Sequence, residues 1–128
     1  MFYIASAVLT IALGLLVHLA AGGLDPVTRD VLGDALWAAM VLWWVSAATL
    51  NARLGQRSAL ALGICVAVEL SQLVHSPAID AVRGTTLGHL ILGSGFDPRD
   101  LAAYALGVSG AALLERATLV RLHRRAAI

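Results

Sequence analysis

Four apolar stretches divide this chain, and its polar residues fall between them or close to their ends. They cover about 3–22, 33–50, 58–75 and 98–114. Each is near the roughly 17–25 residues with which a helix crosses a bilayer. The pattern predicts an all-α fold: an integral membrane four-helix bundle, one transmembrane domain over 1–128, with short interfacial or re-entrant helices in its outer loops. A cleaved signal peptide is set aside for the first stretch, which has no basic leading residues and is interrupted by Gly14 and His18.

Turn chemistry organises the connections. Asp25-Pro26 reads as a helix N-cap with Pro at the first helical position, and Gly33 as the close of a short turn before the second helix. Ser76-Pro77 repeats the signal, with Gly84 as a stop after Arg83. Thr86 is expected to cap a further piece, 87–92, whose Leu90, Ile91 and Leu92 are too apolar for a solvated loop and too few to span. Gly93 to Gly95 reads as a flexible turn, and Asp97-Pro98 starts the fourth helix. The segment 76–97 is therefore expected to form a lid over the bundle.

Composition fits a membrane protein: 59% hydrophobic residues, 13% charged residues and a mean hydropathy of +0.84. A soluble domain of this size carries about twice that charged fraction. The net charge of +1 is too balanced to indicate nucleic acid. The single cysteine, Cys65, lies in an apolar run and reads as a small core residue rather than half of a disulfide or a metal ligand. The basic residues are all arginine. Arg53, Arg57, Arg116, Arg121, Arg124 and Arg125 fall on one side of four crossings, and Arg29, Arg83 and Arg99 on the other. The positive-inside rule then places both termini and a basic tail, 115–128, in the cytoplasm, and the polar loops outside a bacterial cytoplasmic membrane.

Ionisable groups inside the apolar stretches are the candidate chemistry. A charge at the centre of a membrane helix costs about 2.5–3.5 kcal/mol on insertion scales. His18, Asp34, Glu69 and Asp100 each lie near one stretch end, and alternating direction brings those ends to the outer side. By these boundaries the inner halves carry no Asp, Glu, Arg or His. Glu69 is six residues from His75, roughly 9 Å below the outer end of its helix, and shares a face with Gln72. Its plain alternative is a helix–helix hydrogen bond. Asp34 pairs with Trp37 at i, i+3; the alternatives are a helix-start acid and an interfacial aromatic. Asp100 and Tyr104 face inward if Gly107 and Ala111 mark a packing face, although Asp100 also suits a cap.

Glu69, Asp34 and Asp100 are thus the acid–base candidates. Arg83, folded back over them, is the candidate anion clamp, against a solvated loop arginine. His89 in the lid and His18 on the first helix are candidate proton carriers, though a lone histidine at an interface is more often structural. His123 belongs to the basic tail, beside arginines placed to meet anionic lipid. No nucleophile elbow, zinc-protease motif or phosphate loop is present in the sequence, and the scattered histidines suggest no metal or cofactor.

Several of these motifs occur together in a familiar order: Gly33-Asp34-Ala35-Leu36-Trp37-Ala38, Glu69-Leu70-Ser71-Gln72-Leu73, Ile79-Asp80-Ala81-Val82-Arg83-Gly84-Thr85, Leu87-Gly88-His89-Leu90-Ile91-Leu92-Gly93, and Phe96 with Asp100-Leu101-Ala102-Ala103-Tyr104. From about Gly33 to Gly107 the chain resembles the bacterial family catalogued as domain of unknown function 2809. The resemblance implies a multi-pass bacterial membrane protein and no established activity. More distantly, the order of helix-start acid, E-x-x-Q, loop arginine and last-helix Asp and Gly is similar to the VanZ-like family, which implies the cell envelope. Trp37 stands where that family's aromatic–histidine signature would be expected.

Three functional classes follow. The first is an envelope protein whose outer pocket binds, and in an enzymatic version modifies, an amphipathic or lipid-linked substrate. The second is a small proton-coupled exporter. The third is a non-catalytic scaffold that associates with itself or with another membrane protein. Membrane lipids are the expected partners in each, with no nucleic acid.

Overall fold

A computed structural model describes residues 1–19, 22–93 and 95–126, with side chains through Arg121. Within them the chain is helical throughout: α1 (Phe2–Leu19), α2 (Pro26–Ala48), α3 (Leu54–Ser71), α4 (Pro77–Arg83), α5 (Thr86–Leu92) and α6 (Pro98–Ala126). Ser94 of the expected glycine turn, the side chains of His123, Arg124 and Arg125, and the last two residues lie outside the described part.

The caps explain the boundaries. Asp25 accepts from the Thr28 N–H at 3.0 Å, and Pro26 follows as a residue whose missing N–H costs the helix nothing. Ser76 accepts from the Ile79 N–H at 3.3 Å and starts α4. Thr85, one residue before the expected cap, accepts from the Gly88 N–H and starts α5. Asp97 Oδ1 accepts from the Arg99 N–H at 2.9 Å at the head of α6.

Three helices, α1, α2 and α3, are long and apolar enough to cross a membrane. At 29 residues α6 is the longest. Charged residues at Arg99 and Asp100, then Glu115 and Arg116, leave only a short apolar middle of roughly 21 Å. The lengths of α2 and α6 differ from expectation. No turn breaks the chain at Gly33, because one cap at Asp25 suffices and α2 simply begins at Pro26. Nor does the last helix end at residue 114; it continues to Ala126 through the expected tail.

Packing centres on α2, which touches α1, α3 and α6, while α3 also touches α6 and α4 folds on α5. Its buried residues Ala38, Leu42, Trp43 and Ser46 lie on one side at helical spacing. Small residues allow the close crossing: a Cβ on Gly107 would strike the Ala35 carbonyl, so α6 and α2 meet backbone to backbone there. By contrast, α1 buries Ala7 alone and turns Val8, Leu9, Leu15, Leu16 and Leu19 outward, as a lipid-facing helix does. The bundle has two distinct ends. The lid end carries α4 and α5, and the arginine end carries the 49–53 connection.

Candidate functional site

At the lid end, α2, α3 and α6 each bring one carboxyl to the same place. Glu69 on α3 is fully buried. Its Oε2 accepts from the Tyr104 hydroxyl at 2.9 Å, and its Oε1 from the Asp97 N–H at 2.7 Å. Asp34 on α2 and Asp100 on α6 meet carboxyl to carboxyl in hydrogen-bonding contact, within Coulombic reach of Glu69. Two carboxyls this close repel one another when both are ionised, and a shared proton would relieve that repulsion. Trp37 packs on Tyr104 with ring centroids 5.6 Å apart, one helical turn below Asp34. Thus Glu69, Asp34, Asp100, Tyr104 and Trp37 are one constellation.

The remaining expected residues lie elsewhere. Arg83 does not fold over the acids. Its guanidinium donates to the Ser71 carbonyl at 2.7 Å and the Val74 carbonyl at 2.8 Å, with Asp80 at 3.5 Å. The physical reason is local: the carbonyls at and just past the C-terminal end of α3 lack the i+4 donor of a continuing helix, and Arg83 is the nearest arginine in sequence. Gln72 Nε2 donates to the Leu92 carbonyl at 2.8 Å, and its amide fills the space that a side chain on Gly93 would need, where the φ of 67° also disfavours one. Both residues therefore tie the lid to the end of α3. His89 and His18 are exposed and have no bond to the acids. No group of three metal-ligating residues occurs among the described residues.

Outside the bundle the charges are paired locally. Asp97 binds Arg99 at 2.8 Å on the surface. Hydrogen bonds from Arg99 hold the Asp97 carboxyl below the usual carboxylate range, and the Thr28 bonds do the same for Asp25. Arg99 is thus paired with Asp97 while lying within Coulombic reach of Asp100, and no salt bridge joins a cation to the three acids among the described residues.

A second buried polar network was hidden from the sequence. At the arginine end, Arg57 and Glu115 are 7% and 1% exposed and form an ion pair at 2.7 Å. A second guanidinium nitrogen lies 3.3 Å from the other carboxylate oxygen, a two-pronged geometry. Tyr3 closes the triangle, accepting from Arg57 at 3.0 Å and donating to Glu115 at 2.9 Å. The expectation that this half lacks ionisable groups is therefore corrected. It placed α3 four residues too late and stopped α6 one residue short of Glu115, which put both charges in solvent. The available signal was Glu115 itself, a solitary acid at the head of an arginine-rich segment.

Residues 24–108 match the family described as "Protein of unknown function (DUF2809)". The chain belongs to that family. The DUF2809 span holds every member of the lid-end constellation, but only Arg57 of the arginine-end network, since Tyr3 and Glu115 lie outside it. No solved structure matches the fold.

Proposed function

We propose that this chain is a four-crossing bacterial membrane protein whose lid-end site binds the polar head of an amphipathic or lipid-linked molecule of the cell envelope. In this reading α6 is the fourth crossing, both termini are cytoplasmic, and the site opens to the outer leaflet. One observation carries the proposal: Asp34 and Asp100 meet carboxyl to carboxyl beside buried Glu69, with no salt bridge to any of the three among the described residues. Polar groups gathered at membrane depth are costly and are usually kept for function.

With Arg83 committed to α3, the site favours a head that donates hydrogen bonds or carries positive charge, not an anion. Binding a cationic head would displace the proton between Asp34 and Asp100, so uptake of ligand and release of a proton are linked. The test is a titration of purified protein with a long-chain alkylamine in weakly buffered detergent. Saturable binding with proton release is expected, and Asp34→Asn or Asp100→Asn should abolish the release. Binding that releases no proton in any of the three proteins would remove the proposal.

A second reading, a non-catalytic scaffold, draws support from Glu69, both of whose oxygens are occupied by the lid and by α6. Under it, Asp34→Asn and Asp100→Asn leave growth and envelope-stress tolerance unchanged, while Glu69→Leu alters both through loss of folded protein. The proton-coupled exporter has less in its favour, because the Arg57–Glu115–Tyr3 network closes the other end of the same α3–α6 interface.

A further inference from the structure

The arginine end bears a groove that the lid-end site does not use. It is an open surface groove of about 550 Å³ between the first turns of α3 and the middle of α6. Leu54, Gly55 and Ser58 form one wall, and Ser109, Ala112 and Arg116 the other. The lining is mainly apolar, and Gly55 leaves open space where a side chain would stand. Arg116 is exposed and has no hydrogen-bond or ion-pair partner among the described residues, unlike its chain neighbour Glu115, which is buried against Arg57.

This is a mainly apolar furrow with one guanidinium at its arginine-end rim that has no partner among the described residues, on the flank of two helices and level with a loop that carries Arg53. Water is a poor occupant of such a furrow, and a wholly apolar chain leaves the cation unmatched. An amphiphile whose tail is hydrocarbon and whose head is anionic satisfies both halves. We propose that the α3–α6 groove binds a phospholipid with a net negative head, one acyl chain lying against Ala112 and Ser109 and the phosphate on Arg116.

The site is independent of the lid-end acids, and the experiment uses the full chain in detergent. Binding of dioctanoyl phosphatidylglycerol, dioctanoyl phosphatidylcholine and glycerol 3-phosphate is measured by native mass spectrometry and thermal melting. Phosphatidylglycerol should bind about tenfold more tightly than phosphatidylcholine, and glycerol 3-phosphate should not raise the melting temperature. Arg116→Ala should bring phosphatidylglycerol to the phosphatidylcholine level, and Arg116→Lys should keep most of the preference. Gly55→Leu should weaken both lipids by filling the groove, whereas Gly63→Leu, also facing open space on α3, should change neither.

If Gly55→Leu does not fold, the Ala and Lys variants of Arg116 still decide the question. Wild-type lipid preference in Arg116→Ala overturns the proposal. So does equal stabilisation by glycerol 3-phosphate, or efficient cross-linking of Ser109→Cys between two copies without lipid competition.

Discussion

At the scale of residues, a buried carboxylate is defined by what donates to it. Glu69 takes one hydrogen bond from a backbone N–H and one from a phenol, so it is a structural acceptor as well as a member of the acid group. Glu69→Leu strands one buried and one part-buried donor, at about 1–3 kcal/mol for the buried one and less for the other. We expect a clear fall in melting temperature in detergent. Glu69→Gln keeps one acceptor and should fall about half as far; a melting temperature that rises in Glu69→Leu would contradict these bonds.

The Arg57–Glu115 pair gives a sharper contrast. Removing one partner leaves a buried charge unmatched, and Arg57→Ala or Glu115→Ala alone should cost about 3–5 kcal/mol. Replacing both with leucine should recover most of the loss, because desolvation of two charges offsets much of their attraction. A double-mutant cycle read by chemical denaturation checks this, and simple additivity of the two losses would argue against a direct pair.

Between elements, the closest approach governs. The contact of α2 and α6 passes through Gly107, where the Ala35 carbonyl occupies the space of a side chain. Gly107→Val should cost roughly 1–3 kcal/mol through forced separation of the helices. Because the same crossing brings Asp34 to Asp100, that variant should also weaken any ligand or proton linkage of the lid-end site. Gly63→Val, with nothing within 4 Å, is the matched control. The lid is fastened differently, through Arg83, Gln72 and Glu69 along the end of α3. Arg83→Ala should therefore speed proteolysis between α4 and α5 while leaving the main helices protected.

The exposed caps respond to acid. Asp25 and Asp97 have folded-state pKa values lowered by hydrogen bonds to the charged form. A depressed pKa adds stability above the unfolded value, and that contribution fades as the pH falls through the folded one. Melting temperatures of Asp25→Ala and Asp97→Ala should thus differ from the wild type at pH 7 and converge with it below about pH 4. A difference that persists unchanged at pH 3 would assign the effect to something other than these caps.

For the whole molecule, the question is which side each end faces. In the proposed topology, read from the arginine bias, the 49–53 connection is cytoplasmic and the lid lies outside. The native cysteine is buried, so labelling of introduced cysteines has little background. Asn51→Cys should resist a membrane-impermeant maleimide in intact cells, and Ala78→Cys should react. The reverse result would turn the lid-end site toward the cytoplasm.

The sequence by itself determined the class and the punctuation of this protein. Apolar stretches set the helices, because a backbone in hydrocarbon must satisfy its own hydrogen bonds. Ser76-Pro77 and Asp97-Pro98 set where two helices start, and Asp25-Pro26 marked the cap of a third whose apolar stretch was read only from Gly33, because a cap acts over three or four residues and needs no distant partner. The motif order from Gly33 to Tyr104 disclosed the family for the same local reason. Partnership is not local. That Arg83 serves α3 rather than the acids, that Gln72 serves α5, and that Glu115 leaves its arginine-rich surroundings to bury itself against Arg57 depend on which helix ends come together. Several acceptors were in reach of each donor along the chain, and only the packed bundle chose among them.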